Sequence, residues 1–183
     1  MRDSQGSRAP FSAFRFVLRL LVDVLTTAVP AVLIALCINV FVAQAMVIDG
    51  PSMRPNLEYD QRIIVEKVSY LFHGPRRGDV VVIDVSGEPE PLVKRVVGMP
   101  GETITMQDGR IYIDGALLNE TWAIQAGGAD LPPLQVPPHH VFVLGDNRGS
   151  SRDSRAFGPV PIDQILGRAW VIYWPPYAAQ VIR

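Results

Sequence analysis

Apolar and polar positions follow two patterns along this chain, a long uncharged stretch first and short strand-like runs after it. Residues 24–46 read VLTTAVPAVLIALCINVFVAQAM, 23 residues without a charged side chain. As a helix this stretch would be about 35 Å long, enough to cross a hydrocarbon core of roughly 30 Å. A buried helix of a soluble domain rarely stays uncharged for this length, and a cleaved signal peptide usually has a shorter apolar core. The pattern therefore predicts a retained transmembrane helix.

After residue 46 the pattern changes to short runs rich in Val, Ile and aromatic residues. These runs are RIIVEKV at 62–68, DVVVIDV at 79–85, LVKRVVG at 92–98, TITM at 103–106, RIYI at 110–113, HVFVLG at 140–145 and AWVIYW at 169–174. Their length and composition are typical of strands, and Asp-Gly steps at 108–109 and 114–115 predict tight hairpin turns. Residues 126–140, AGGADLPPLQVPPHH, are expected to form a loop. The predicted fold class is mainly β, an antiparallel sheet domain preceded by one N-terminal transmembrane helix.

The flanks of the apolar stretch predict its orientation. Four arginines precede it, at positions 2, 8, 15 and 19. Cytoplasmic flanks favour positive charge, so the N-terminus should stay in the cytoplasm and the β-rich part should lie outside. The predicted organisation is a cytoplasmic segment at 1–19, a transmembrane anchor helix at 20–46 and an extracytoplasmic domain at 47–183.

Composition argues against several function classes. The net charge of -1 provides no overall field that would attract nucleic acid, so no nucleic-acid partner is expected. The single cysteine, Cys37, lies inside the apolar stretch and can form neither an internal disulfide nor a cysteine-based zinc site. The three histidines stand in Gly- and Pro-rich surroundings and are expected at the surface. We predict no metal and no cofactor.

Lys94 lies in LVKRVV, where apolar residues flank the Lys-Arg pair on both sides. On an alternating strand Lys94 and Arg95 point to opposite faces, so one of them must face an apolar layer. Such a lysine can extend its amine to water or pair with a carboxylate. Burial would instead lower its pKa from about 10.4, and a neutral lysine can take the proton of a serine hydroxyl. The candidate serine is Ser52 in GPSMRPNL at 50–57, although that stretch is also typical of a simple turn.

A third segment, LGDNRGSSRDSRAFGPV at 144–160, is dense in Gly, Asp, Ser and Arg. It is typical of a turn-rich loop. The same composition would suit a polar network around a site, in which a hydroxyl holds a neutral lysine and an Asp153–Arg155 pair fixes the loop.

With RRGDVVVI at 76–83 and VKRVVGMPGE at 93–102, these segments resemble the type I signal peptidases, membrane-anchored serine proteases that remove signal peptides from exported proteins. The segments stand in the family's order after an N-terminal anchor, and the resemblance covers residues 50 to about 167. It implies a catalytic domain of signal-peptidase type, with Ser52 as nucleophile, Lys94 as general base and the backbone N–H of Ser52 as oxyanion-hole donor.

The resemblance also implies supporting roles and a substrate pocket. The supporting residues would be Ser151, Asp153, Arg155, Gly145 and Arg95. Ser151 would hydrogen-bond the lysine, while Met53 and Pro55 would line the pocket. This sequence departs from the family at two positions: Gly50 replaces a serine that some members have, and Asn56 replaces the usual threonine.

The implied activity is cleavage of signal peptides from preproteins after small residues, at sites of the Ala-X-Ala type. The expected setting is the bacterial plasma membrane, with preproteins and the lipid bilayer as partners of a monomeric enzyme. Two alternatives stay open: a specialised processing peptidase for pilin or conjugation substrates, and a non-catalytic membrane-tethered β domain. Self-cleaving repressor peptidases share parts of this fold but carry a DNA-binding helix-turn-helix, and the predicted membrane span argues against them.

Overall fold

The computed structural model describes residues 9–122, 124 and 127–182, and the chain divides into two compact units, Met1–Phe41 and Val42–Arg183. The first unit contains helix α1, Ala9–Cys37. Its segment Phe14–Cys37 is 24 residues long with a mean hydropathy of 2.3 over its most apolar window, and no side chain of that window is buried. Within the described residues, this is the one helix long and apolar enough to cross a membrane.

Helix α1 ends earlier than the uncharged stretch predicts. The sequence pattern extends a helix to residue 46, but a π-helical turn follows α1 at Ile38–Val42, and Ala43–Val47 form strand β1. All five residues of β1 pair with strand β2, Arg62–Glu66. A short apolar run such as AQAMV is compatible with either helix or strand, and the available partner strand decides between them.

The second unit is an antiparallel β structure, as predicted. Its further strands are β3 Val80–Ile83, β4 Leu92–Gly98, β5 Thr103–Gln107, β6 Arg110–Ile113, β7 Ala116–Leu117, β8 Leu131–Gln135, β9 His140–Leu144, β10 Val160–Pro161, β11 Ile165–Trp174 and β12 Gln180–Val181. Two short helices are α2 Ser69–Phe72 and α3 Ser154–Phe157. Single 3-10 turns lie at Ile162–Gln164 and Pro176–Ala178.

Across the described residues the strands form two sheets. The larger sheet has the order β1-β2-β11-β3-β4-β9-β10, with β12 added to β11, and the smaller has the order β7-β6-β5-β8. Strand β11 can serve three partners because its first residues pair with β3 and its later ones with β2 and β12. Strand β1 therefore lies at an edge of the larger sheet, while β4 lies inside it between β3 and β9.

Both predicted hairpin turns of the smaller sheet are present. Asp108 and Gly109 have φ angles of 49° and 73°, and Asp114 and Gly115 have φ angles of 50° and 81°. Two successive positive φ values are the signature of a type I′ turn, which Asp-Gly adopts readily. These turns connect β5 to β6 and β6 to β7.

The prediction of a loop throughout 126–140 is wrong for Leu131–Gln135, which form β8. This strand pairs with β5, and its register shifts between Ile104 and Met106, at the level of Pro132 and Pro133. Proline lacks the N–H that a central strand must donate, so a strand containing it belongs at a sheet edge. Strand β8 occupies such an edge.

Strand β4 is packed on both faces. Val96 belongs to a buried cluster with Val81 and Val143, whereas Val97 belongs to another with Ile104 and Phe142. Consecutive residues of β4 therefore enter two separate apolar layers. The two charged residues on this strand, Lys94 and Arg95, are both buried.

Candidate active site

The side chains of Ser52 and Lys94 meet in the second unit, although 42 positions separate them. The Nζ atom of Lys94 lies 3.0 Å from Ser52 Oγ and 2.9 Å from the carbonyl oxygen of Val93. Lys94 is only 3% exposed. In the described part of the chain, no carboxylate lies within ion-pair distance of this amine. The arrangement is a buried lysine amine hydrogen-bonded to a serine hydroxyl.

The turn that carries Ser52 is held from two sides. Below it, Met53 and Leu57 are fully buried in the apolar cluster beneath β2 and β11, and the N–H of Leu57 donates to the carbonyl of Met53. Beside it, the backbone N–H of Asn147 donates to the carbonyl of Ser52 at 3.0 Å. The Asn147 side chain also donates to the Pro51 carbonyl at 3.2 Å. Packing and hydrogen bonds together fix the backbone of the turn from which the hydroxyl extends.

Lys94 and Arg95 are both buried, whereas the sequence required this of only one. Arg95 is 0% exposed and donates through Nε and Nη2 to both carboxylate oxygens of Asp146, at 2.8 and 2.7 Å. It also donates to the Gly78 carbonyl at 2.8 Å, and its guanidinium lies 4.9 Å from the ring centre of Trp122. This bidentate pair compensates the buried arginine charge. The Lys94 ammonium has no comparable compensation.

Burial without a compensating carboxylate changes the pKa of Lys94. Burial lowers the pKa of its amine from 10.5 to about 8, although the carboxylates of Asp153, Glu88 and Asp146 act in the opposite direction. An amine with this pKa is neutral in about one molecule in ten at pH 7, against roughly one in a few thousand for an ordinary lysine. A neutral amine has a free lone pair that can accept a proton.

Ser151 does not make the hydrogen bond with Lys94 that the resemblance implies. Its hydroxyl oxygen is buried and has no hydrogen-bond partner among the described residues, whereas the lysine amine is bonded to Ser52 and Val93. Ser151 still lies close to the site. A Cβ atom added at Gly145 would lie 2.5 Å from the Ser52 carbonyl oxygen and closer still to Ser151 Oγ, so only glycine fits at that position.

Asp153 and Arg155 form an ion pair at 2.8 Å. Asp153 is 0% exposed, and the carboxylate oxygen of this pair, Oδ2, also accepts from the backbone N–H of Gly145 at 3.0 Å. The same carboxylate accepts from the backbone N–H of Arg155 and so caps helix α3. The Asp153 carboxylate therefore joins Gly145 at the start of the 144–160 segment to helix α3.

Sequence reasoning missed a second network behind this segment. Asn56 donates to Asp146 at 2.8 Å. Arg148 is 1% exposed, donates to the Gly145 carbonyl at 3.1 Å and forms an ion pair with Glu120. Asp146 and Arg148 stand in a segment that the sequence already singled out by its polarity. The residues around Glu120 in the sequence do not indicate its role, because Arg148 is distant in the sequence and only the tertiary structure brings the two side chains together.

A cleft of about 380 Å³ opens beside Ser52 and Lys94. One wall is the end of edge strand β1 with the residues that follow it, and the other is the segment leading into β4. The lining residues are Met46, Val47, Ile48, Asp49, Gly50, Ser52, Met53, Glu88, Pro89, Glu90, Pro91, Leu92, Val93 and Lys94. Met53 lines the cleft, whereas Pro55 is not among these residues and is exposed in the turn that carries Ser52.

Comparison with known proteins finds matches to this chain in one family. Residues 21–174 match the family model described as signal peptidase, peptidase S26. The chain is 42% identical over 153 residues to a signal peptidase I of Leptolyngbya laminosa, covering 79% of this chain and 75% of that protein. It is 37% identical over 155 residues to a probable signal peptidase I-2 of Synechocystis, covering 81% and 71%. A crystal structure of a signal peptidase I from Enterococcus faecalis is 31% identical, with a TM-score of 0.46 over 51% of this chain and 95% of that one.

Proposed function

This chain belongs to the signal peptidase family, peptidase S26, and we propose that it cleaves signal peptides from preproteins with Ser52 as nucleophile and Lys94 as general base. Enzymes of this family are serine peptidases that act on signal peptides, and that is the enzyme class of this chain. The observation that supports the finer assignment is the 3.0 Å contact between Ser52 Oγ and a lysine amine that is 3% exposed.

The proposed reaction is acyl transfer in two steps. Neutral Lys94 takes the proton of the Ser52 hydroxyl as Oγ attacks the scissile carbonyl carbon. The resulting ammonium then gives its proton to the leaving amine nitrogen, which completes an ester between Ser52 and the signal peptide. A water that gives its proton to the same amine hydrolyses this ester and restores the serine.

The negative oxygen that forms during attack needs a hydrogen-bond donor. The backbone N–H of Ser52 is the proposed donor, and one donor of this kind is typically worth about 3 to 4 kcal/mol in the transition state. Gly50 has no side chain to add a second donor, in contrast to the serine that some members have there. Its φ angle of 115° is one that a residue with a side chain rarely adopts.

The cleft supports a preference for small residues before the cut. Met53 lines the cleft next to the nucleophile and is 1% exposed, so it can form an apolar surface for a small substrate side chain at the reacting position. We therefore propose cleavage at sites of the Ala-X-Ala type.

Helix α1 supports membrane anchoring. Its apolar segment Phe14–Cys37 is long enough to span a bilayer. Arg2 and Arg8 ahead of this segment, and Arg15 and Arg19 near its start, favour a cytoplasmic N-terminus. We propose a single-pass protein of the bacterial plasma membrane, with the β unit outside. Nucleophile, base and cleft all come from one chain, which is compatible with a monomer.

The test is cleavage of a preprotein by the purified full-length protein in detergent micelles. Ser52→Ala and Lys94→Ala should each reduce cleavage at least a thousandfold while the circular dichroism spectrum stays that of the wild type. The chain has one other lysine, Lys67, so Lys67→Ala is the matched control, and Ser86→Ala plays the same part for the serine. Wild-type activity in the Ser52 or the Lys94 variant would refute the proposed pair.

The pH dependence of cleavage provides a second test. Because Lys94 acts in its neutral form, kcat/KM should rise with pH and reach half of its plateau near pH 8, the value to which burial lowers the lysine pKa. A profile that is flat between pH 6 and pH 9 would contradict lysine as the base.

A further inference from the structure

Three carboxylates act on the Lys94 amine, and each of them forms an ion pair with an arginine. The pairs are Asp153–Arg155 at 2.8 Å, Glu88–Arg152 at 2.6 Å and Asp146–Arg95 at 2.7 Å. A carboxylate near a lysine favours the ammonium form, whereas a cation beside that carboxylate cancels much of this effect. Each arginine should therefore weaken the stabilisation of the ammonium by the carboxylate that it pairs with.

The Glu88–Arg152 pair differs from the other two in its place. Asp146 and Asp153 both belong to the 144–160 segment and are fully buried. Glu88, by contrast, lines the substrate cleft together with Lys94. The Glu88 side chain is 13% exposed and the Arg152 side chain 69%. Their ion pair joins the wall of the cleft at 88–91 to the loop that follows Ser151.

We propose that Arg152 is a positioning residue for the cleavage reaction: it holds and neutralises the Glu88 carboxylate at the cleft wall and thereby raises the fraction of Lys94 that is neutral and able to accept a proton. This inference rests on the proposed role of Lys94 as the base. Without Arg152, the negative charge of Glu88 would act on the Lys94 amine without a compensating cation. Without Glu88, the charge of Arg152 would instead disfavour the ammonium.

The geometry also predicts that this effect is separable from folding. An ion pair with an arginine this exposed contributes little to stability, so neutral variants of either residue should keep the fold. A loop that merely became looser would lower kcat at every pH and leave the pH profile in place. An electrostatic role moves the profile itself.

The experiment measures kcat/KM of the full-length protein against pH for Arg152→Gln, Glu88→Gln and the double variant. Arg152→Gln should move the acid limb to higher pH by about half a unit to one unit, the scale expected for one uncompensated charge at the wall of the same cleft, so that kcat/KM at pH 7 falls roughly three- to tenfold. Glu88→Gln should move the limb to lower pH. The double variant should return close to the wild-type profile, and Arg152→Lys should resemble the wild type because it keeps the charge.

Arg110→Gln is the control, since it removes one positive charge from an exposed position on strand β6 of the smaller sheet. Its acid limb should stay in place. An unshifted limb in Arg152→Gln, or shifts of Arg152→Gln and Glu88→Gln in the same direction, would overturn the role of Arg152. Those results leave the catalytic pair standing as long as Lys94→Ala is inactive, whereas an active Lys94→Ala would overturn the pair itself.

Discussion

Replacing Lys94 with methionine should abolish cleavage and at the same time make the protein more stable at pH 7. Methionine is apolar and close to lysine in length, so it suits a site that is 3% exposed. The wild-type protein must keep an amine there that is mostly protonated at pH 7. The free energy of unfolding therefore carries a penalty that the variant lacks.

The size of this penalty follows from the lysine pKa. A fall from 10.5 to about 8 corresponds to about 3 kcal/mol at 1.36 kcal/mol per pKa unit. The variant also loses the amine's hydrogen bonds to Ser52 Oγ and the Val93 carbonyl, each worth about 1 kcal/mol. The expected net gain at pH 7 is about 1 to 2 kcal/mol.

The direction in which the free energy of unfolding changes with pH shows whether the desolvated Lys94 amine causes the penalty. The folded protein releases the Lys94 proton near pH 8 and the unfolded chain only near 10.5, so the unfolded state binds more protons between these values. Wild-type stability should therefore rise with pH in this window, while the methionine variant lacks that contribution. From pH 7 to pH 9.5 the advantage of the variant should shrink by about 2 kcal/mol and vanish or reverse.

Urea unfolding of the full-length protein in micelles, followed by tryptophan fluorescence, measures both quantities. All three tryptophans, at positions 122, 170 and 174, lie in the β unit, so the signal reports on that unit. Lys67→Met separates the response of Lys94 from the general effect of removing a lysine. A stability difference between wild type and Lys94→Met that is the same at pH 7 and pH 9.5 would refute the assignment of the penalty to a desolvated amine.

Two further predictions concern the loop behind the nucleophile. Gly145→Ala forces a Cβ against the Ser52 carbonyl and should lower kcat at least tenfold. The control is Gly74→Ala, at a position with no neighbour within 4 Å, which should leave kcat unchanged. Equal kcat values in the two variants would contradict the packing argument. Glu120→Gln leaves the buried Arg148 charge without its carboxylate and should lower the free energy of unfolding by about 3 kcal/mol in urea titrations; a change below about 0.5 kcal/mol would show that another group compensates this arginine.

Two neighbouring cations on strand β4 differ in how their charge is compensated, because only Arg95 forms an ion pair with a carboxylate. Arg95 finds Asp146 in a bidentate pair, whereas Lys94 finds a hydroxyl and a carbonyl, which do not balance its charge. Guanidinium suits the first role because it stays charged and has the geometry for two parallel hydrogen bonds. An amine suits the second because desolvation can bring its pKa toward neutral pH.

Much of the fold is readable in local sequence. The β-branched runs became strands, and the Asp-Gly steps became turns with positive φ at both residues, because these preferences act over a few neighbouring residues. The errors lie where a distant partner decides. Residues 43–46 left the expected helix to pair with β2, and the proline-containing residues 131–135 became an edge strand because β5 was available.

The sequence by itself determined the membrane-length helix, the antiparallel β character, the family and the identity of Ser52 and Lys94 as candidates, since each is written in local composition or in a short motif. Only the tertiary structure decided that both Lys94 and Arg95 are buried, that Ser151 makes no bond to the lysine, and that Glu88 and Glu120 meet arginines far along the chain. Burial and ion pairing depend on which strands and loops lie alongside. A lysine becomes a usable base only after those neighbours have removed water and balanced the surrounding charge.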